Sequence, residues 1–391
     1  MRWLAAASLA AACPAAGADG TAASASAAPG PLNCAPSGLA PEPCYSPQAY
    51  ETAYGVTPLL RRGITGRGET VAMLALAQTP SDPGASDIRE DLAAFDTRFG
   101  LPRARLHVVT AIAGSATPYL ANNDELGDTE MAHAFAPGAT LDVILVPASA
   151  TSSPANVATA ITKAVRESAA LHVAVLSTSL SGGEHAFTRR EVAAMHAALE
   201  QARDQHVTVL GRSGDNGVIA SHGGASVQVN LGEMAWNDNT KGSGGGYSSL
   251  FSRPSYQDGL ARARATRGVP DVSANADPYG AMAIEYGDGE LRGDTGTSSA
   301  ASLWAGVIAL ADQQAGRHLG FVNPALYAIG RGPACHRAFH DVVTGDNSVV
   351  TATGIFTGYN AGPGWDPVTG LGSPDAQYLV PLLARTARDL P

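Results

Sequence analysis

Thr70-Val71-Ala72-Met73-Leu74-Ala75-Leu76-Ala77 decides the fold. After one threonine the run is apolar without a break, which suits a strand buried on both faces, as strands of parallel sheets are. Thr140 to Val146 (TLDVILV), Leu171 to Leu176 and Val207 to Leu210 read the same way. Helical patterns lie between these runs. Ser86 to Phe99 has helical spacing through Ile88, Leu92 and Phe95, and Ala155 to Glu167 is another such segment. Thr188 and Glu191 form a capping box that opens a long helix to about Arg203. The repeated strand–helix order predicts the α/β class, with a mainly parallel sheet and helices on both faces. No internal repeat is evident, so 44–391 reads as one catalytic-sized domain.

Composition narrows the function classes. The chain has 391 residues, 45% of them hydrophobic and 15% charged, enough apolar material to fill a large core and to exclude extensive disorder. The net charge of −10, with Lys163 and Lys241 the only lysines, excludes the clustered cations of a nucleic-acid surface. Forty-four glycines point to many tight turns and close backbone approaches. No segment has the apolar length of a membrane span.

Met1 to Ala18 reads as a secretory signal. Arg2 gives the positive start, Trp3 to Ala12 is a short apolar stretch, and Ala16-Gly17-Ala18 offers a small-residue cleavage site. The chain is therefore expected to be secreted or periplasmic. Asp19 to Pro43, rich in Ala, Ser, Gly and Pro, reads as a flexible leader. Cys34 and Cys44 flank a proline-rich step that suits a disulfide loop in an oxidising compartment. Cys335 is the odd one, either buried or paired.

The strongest local feature is Gly293-Asp294-Thr295-Gly296-Thr297-Ser298, running into an apolar helix through Leu303, Trp304, Val307, Ile308 and Leu310. A serine at a helix N-terminus sits beside unpaired N–H groups and the positive end of the dipole. Those groups can stabilise an oxyanion, so Ser298 is a candidate nucleophile as well as a candidate cap. A histidine base in a His-Gly-Thr setting is absent. Carboxylates offer another route. In the helical stretch Asn122 to Pro137, Asp124 and Asp128 stand i, i+4 on one face, about 5–6 Å apart at Cβ. Like charges at that spacing are destabilising, which invites a functional reason. Ser213-Gly214-Asp215-Asn216-Gly217 and Ser179-Leu180-Ser181-Gly182-Gly183 each follow a strand, at the carboxyl edge where α/β folds place ligands. Near the C-terminus, Asp341 and Asp366 with glycine-rich backbone between them suit a hard, oxygen-seeking cation.

Together these segments resemble the sedolisin family of serine-carboxyl peptidases. The resemblance runs from Cys44 to about Asp375 through Tyr54-Gly55-Val56, Gly66-Arg67-Gly68, the Asp128 helix, Ser213 to Gly217, Gly244-Gly245-Gly246, Pro270-Asp271-Val272-Ser273-Ala274, Gly296-Thr297-Ser298 and Gly362 to Gly372. It implies a subtilisin-like fold and a secreted, acid-active, calcium-stabilised peptidase. By resemblance Ser298 is the nucleophile, Asp128 the triad aspartate and Asp215 the oxyanion-hole residue. Asp341, Val342, Gly362, Gly364 and Asp366 are the implied ligands of one Ca²⁺, and Ser179 to Gly183 pairs with substrate. The implied partner is a peptide or protein, met by a monomer.

Three departures stand out. The family's base is a glutamate, whereas its place here holds Asp124, with Glu125 as the neighbouring candidate. Ser302 stands where the family usually has proline. In place of a long propeptide there is the 19–43 segment. The family contains endopeptidases and tripeptidyl aminopeptidases, and the departures add a non-catalytic peptide binder as an alternative. A carboxylate base must be ionised while an aspartate donating to the oxyanion must be protonated, a combination that favours acid.

Overall fold

The computed structural model describes residues 30–35, 43–82, 84–112, 119–217, 225–228, 232–285 and 289–389. The expected signal and most of the leader lie outside them.

The elements that position the site are strand β1 (Thr70–Ala77), helix α1 (Ile88–Phe99), β2 (Arg105–Thr110), α2 (Asn123–Phe135), β3 (Thr140–Pro147), α3 (Pro154–Ala170), β4 (Val175–Thr178), α4 (Arg189–Asp204) and β5 (Thr208–Gly211). The hairpin β6 (Met282–Glu285) and β7 (Leu291–Asp294), then α5 (Thr297–Ala315), follow. β2, β3, β1, β4 and β5 lie side by side in that order, all parallel. Two short antiparallel strands, Ala85–Asp87 and Leu120–Asn122, extend the sheet from Ala77. The expected mainly parallel sheet is thus present, with a mixed margin.

Alternation along β1 explains why its run is wholly apolar. Val71, Met73 and Ala75 join the core under α2 and α5, while Ala72 and Leu74 join the core under α3 and α4. Both faces are covered, so both sets of side chains must be apolar. The capping box at Thr188 and Glu191 is formed as expected. The third strand is shorter than the expected Leu171 to Leu176. α3 continues to Ala170, Leu171 is its C-cap and His172 turns the chain at φ 53°. Helix propagation and the turn consume the apolar residues that the sequence suggested were extended.

Cys34 and Cys44 form the expected disulfide. Cys335 is buried and also disulfide-bonded. Among the described residues no helix is long and apolar enough to cross a membrane.

Candidate active site

Ser298 is the second residue of α5, buried at the helix's start. Gly296 precedes the helix at φ 96°, a conformation that disfavours any side chain. A Cβ there would also stand 3.2 Å from Asp215 Oδ2. Glycine is therefore needed for the backbone angle and for the approach of the carboxylate. Trp304 anchors the helix from below, its indole donating to the Ser273 carbonyl at 2.8 Å.

Two contacts fix the direction of α2 relative to α5. Gly306 of α5 lies so close to α2 that a Cβ would meet Phe135 Cβ at 2.4 Å and the Ala132 carbonyl at 3.3 Å. At the other end, a Cβ on Gly127 would meet Asp294 Oδ1 at 3.1 Å, just before α5 begins. The helices therefore run side by side in the same direction. That brings the Asp124–Asp128 turn beside the turn that carries Ser298. Gly127 is explained as well: its low helix propensity is offset by the room it leaves for the 294 carboxylate. The expected Asn122 to Pro137 helix is observed over Asn123–Phe135. Asp128 and Glu125 are buried within it. The side chain of Asp124 lies outside the described residues.

Asp128 Oδ2 accepts a hydrogen bond from the Ser179 hydroxyl, which follows β4 at the carboxyl edge of the sheet. The segment expected to pair with substrate therefore also touches the acidic turn. His133, near the C-terminal end of α2, instead faces Asp96 at 3.0 Å.

Asp215 sits in a loop braced from several sides. Gly242 N–H donates to its carbonyl at 3.1 Å, and Gly244 N–H donates to the Gly214 carbonyl at 3.0 Å. Its Oδ1 accepts from the Thr297 N–H and the Thr297 hydroxyl, both at 2.8 Å. The same hydroxyl accepts from Gly214 N–H at 2.9 Å, so its single proton is directed at Asp215. Oδ2 accepts from Arg212 Nη1 at 3.0 Å. Sequence reasoning found Asp215 but missed Arg212 and Thr297. Thr297 lies inside the Gly293–Ser298 motif and Arg212 just before the Ser213–Gly217 segment, and neither shows a pattern that announces its partner.

The candidate cation residues converge. Gly364 N–H donates to Asp341 Oδ2 at 2.8 Å, with Gly364 at φ 72°. Asp366 accepts from Gly362 N–H at 3.0 Å, Val368 N–H at 2.8 Å and Thr369 N–H at 2.9 Å, and Thr369 Oγ1 lies 3.3 Å from the Val342 carbonyl. Asp341 Oδ1 is buried and accepts no hydrogen bond. Such an oxygen is costly to bury and fits a cation ligand. Burial raises both carboxyls, Asp366 to about 6 against the partly opposing N–H donors around it. Among the described residues no cluster of three or more His, Cys, Asp and Glu forms a metal site. A set of two carboxylates completed by carbonyls would not produce one.

Buried acids elsewhere were not legible in the sequence. Burial pushes Glu51 up to about 7, Asp91 to about 6 and Asp312 to about 8. Each takes up a proton in the fold at a pH where the unfolded chain, near 4, does not. Their stabilising effect is therefore full below about pH 4 and is lost as pH rises through 6 to 8. With calcium chelated, the melting temperature should be higher at pH 5 than at pH 8. The gain is about 1.4 kcal/mol per pH unit for each group lying between its folded and unfolded values. A melting temperature that is flat, or higher at pH 8, would contradict this.

No family model matches the chain. Kumamolisin from Bacillus sp. (strain MN-32) is 31% identical over 385 residues, covering 88% of this chain and 66% of kumamolisin. A tripeptidyl-peptidase of Arthroderma otae is 30% identical over 265 residues, covering 54% of this chain and 42% of that protein. The chain thus spans about two thirds of kumamolisin's length and under half of the second relative's. Among solved structures, Pseudomonas sedolisin, a serine-carboxyl proteinase complexed with two molecules of pseudo-iodotyrostatin, aligns with a TM-score of 0.68 at 24% identity. That alignment covers 81% of this chain and 92% of sedolisin, and it establishes a shared subtilisin-like α/β fold. With this fold, and with similarity to kumamolisin along most of its length, the protein belongs to the sedolisin family of serine-carboxyl peptidases.

Proposed function

We propose that the chain is a secreted, acid-active serine-carboxyl endopeptidase whose fold is stabilised by one calcium ion. The observation that carries this reading is the seating of Ser298 on the first turn of α5, with Asp215 bonded to Thr297 and the acidic turn of α2 alongside. Ser298 Oγ attacks the scissile carbonyl while its proton passes to the carboxylate of Asp124, which Asp128 orients. The C–N bond then breaks, and that proton leaves with the amine. The same carboxylate then takes a proton from water, whose oxygen attacks the acyl carbonyl, and returns that proton to Ser298 Oγ as the ester bond breaks. Asp215 and the first-turn N–H groups of α5 face the oxyanion. The Cys34–Cys44 disulfide is consistent with an oxidising, extracytoplasmic setting. Proton uptake by the buried acids supports work in acid.

The test is incubation of an unfolded protein at pH 4 and pH 7, with Ser298→Ala as the blank and mass analysis of products. Internal cleavage at pH 4 that is absent from the blank is expected. The relatives named tripeptidyl-peptidases favour a second reading, aminopeptidase action, and release of successive tripeptides would select it. Binding without cleavage would identify a non-catalytic relative.

Calcium would be held by the carboxylates of Asp341 and Asp366 and the carbonyls of Val342, Gly362 and Gly364. Once bound, its charge ties the 341–342 segment to the 362–366 loop. An ion that binds only the native chain adds about 2.7 kcal/mol at a hundredfold excess over its Kd. Chelation at pH 6 should therefore lower the melting temperature of metal-loaded protein, and Asp341→Ala should remove that response. Bound calcium keeps both carboxylates ionised, so protons compete with it increasingly as pH falls below about 6, the metal-free value for Asp366. The stabilisation should accordingly shrink by pH 3. An unchanged melting temperature on chelation at pH 6 would reject the site.

A further inference from the structure

We propose that Arg67, Arg103 and Arg105 form a binding site for a free, doubly charged oxoanion of the sulfate and phosphate class, at the edge of the sheet away from Ser298. The site does not depend on the peptidase reading and goes beyond it.

The three arginines line a cavity of about 270 Å³, together with Pro102, Pro137 and Ala139. Its place follows from strand register. Thr140 of β3 stands opposite both Thr70 of β1 and Arg105 of β2, so the cavity lies where these parallel strands begin. Ser179 and Asp215 follow the other ends of β4 and β5. The eight residues of β1 separate the two edges, about 23 Å at 3.3 Å per residue.

The segments that carry the arginines are pinned by hydrogen bonds. Gln313 Oε1, near the end of α5, accepts from the N–H groups of Thr65 and Gly66 at 2.7 Å and of Arg67 at 3.2 Å. Gly138 N–H donates to the Thr65 carbonyl at 2.7 Å, which docks that turn on the chain leaving α2. Asp96 Oδ2 accepts from Ala104 N–H at 2.8 Å and fixes the loop that carries Arg103. Arg105 reaches across to the Gly138 carbonyl and to Thr140 Oγ1, the latter at 3.3 Å. The backbone is thus set before any ligand arrives, which lowers the cost of binding.

Charge supplies the ligand class. Among the described residues neither Arg67 nor Arg103 forms an ion pair. Carboxylates on or beside these segments are engaged with histidines instead: Glu69 with His318 at 3.3 Å, Asp96 with His133 at 3.0 Å and Asp142 with His107 at 3.1 Å. Three permanent positive charges therefore line one cavity in a chain of net charge −10. The carboxyl end of α2 offsets only about half of one charge. Guanidinium forks match pairs of oxygens on a tetrahedral oxoanion. The volume lies below the range of about 300–1,000 Å³ typical of pockets for larger ligands, which favours a small ion.

The experiment is calorimetric titration with sodium sulfate at pH 5, with ionic strength held constant by sodium chloride. Sulfate keeps two charges at that pH and serves as the probe. One saturable site is expected, with a Kd of about 1 mM or tighter. Arg103→Gln should weaken binding about tenfold, the loss of one charge-assisted hydrogen bond, and Arg67→Gln combined with Arg103→Gln should remove it. Sulfate should also raise the melting temperature of wild type more than that of the double variant, a comparison that subtracts the salt's general stabilising effect. Where the double variant fails to fold, Arg103→Gln alone decides.

No saturable binding, or equal binding by wild type and the double variant, would overturn the proposal. So would sulfate that binds at one site and competes with a peptide substrate, because that ion would sit at the N-terminus of α5. Vesicles of phosphatidylcholine and phosphatidate in equal parts present the same chemistry on a lipid. Sedimentation with them and no response to sulfate would reject the free anion. The peptidase reading fails separately: a chain that cleaves nothing loses that reading, while the titration still decides the anion site.

Discussion

Ser298→Ala should abolish peptide hydrolysis, with a fall in turnover of about 10⁶, while leaving the fold in place. The size follows from the unit in which the serine acts. Without its oxygen there is no covalent intermediate, and neither the acidic turn nor the oxyanion donors have a reaction to assist. The fold should tolerate the change because Ser298 follows the capping position and its helix is held elsewhere. Asp215 pairs with Thr297 N–H and Trp304 with the Ser273 carbonyl. Assay of kcat with a thermal melt of the same sample checks both halves. A variant that keeps most of its turnover would remove Ser298 as nucleophile, and one that is inactive because unfolded would show in the melt.

Asp124→Ala should lower kcat by about 10⁴, whereas Asp124→Glu should keep or raise activity. Two features motivate this. Asp124 and Asp128 stand i, i+4 in the sequence of α2, a spacing that predicts both on one helix face. The parallel packing of α2 against α5, shown by the contacts at Gly127 and Gly306, sets that turn of α2 at the same end as the first turn of α5. Glutamate at 124 adds one methylene and restores the family's residue. Glu125 is the competing base, and it is buried on the same helix. The discriminating result is therefore the pair of alanine variants. An inactive Glu125→Ala beside an active Asp124→Ala would shift the base by one residue.

Much of this molecule was readable from one dimension because its signals are local. The unbroken apolar run of Thr70–Ala77 can be satisfied only by a strand covered on both faces, and that determines a parallel, helix-flanked sheet. The Thr188–Glu191 capping box closes within four residues. Ser298 at a helix start and Asp124 with Asp128 one turn apart are likewise properties of short segments. So is the disulfide that closes the short step between Cys34 and Cys44.

What tertiary structure alone decided depends on residues distant in the chain. Whether Leu171 to Ala174 would extend or turn was settled by how far α3 propagates before His172 reverses the chain. The burial of Cys335 and the orphaned oxygen of Asp341 arise from contacts across many residues. Glu51, Asp91 and Asp312 look like ordinary surface acids in the sequence, and only desolvation by the packed core makes them hold protons. Arg212 is the sharpest case. Its pairing with Asp215 is local in sequence, but the same carboxylate is also held by Thr297, 82 positions on. Periodicity and capping are set by neighbours along the chain, whereas charge, burial and the geometry of a reacting site are set by neighbours in space.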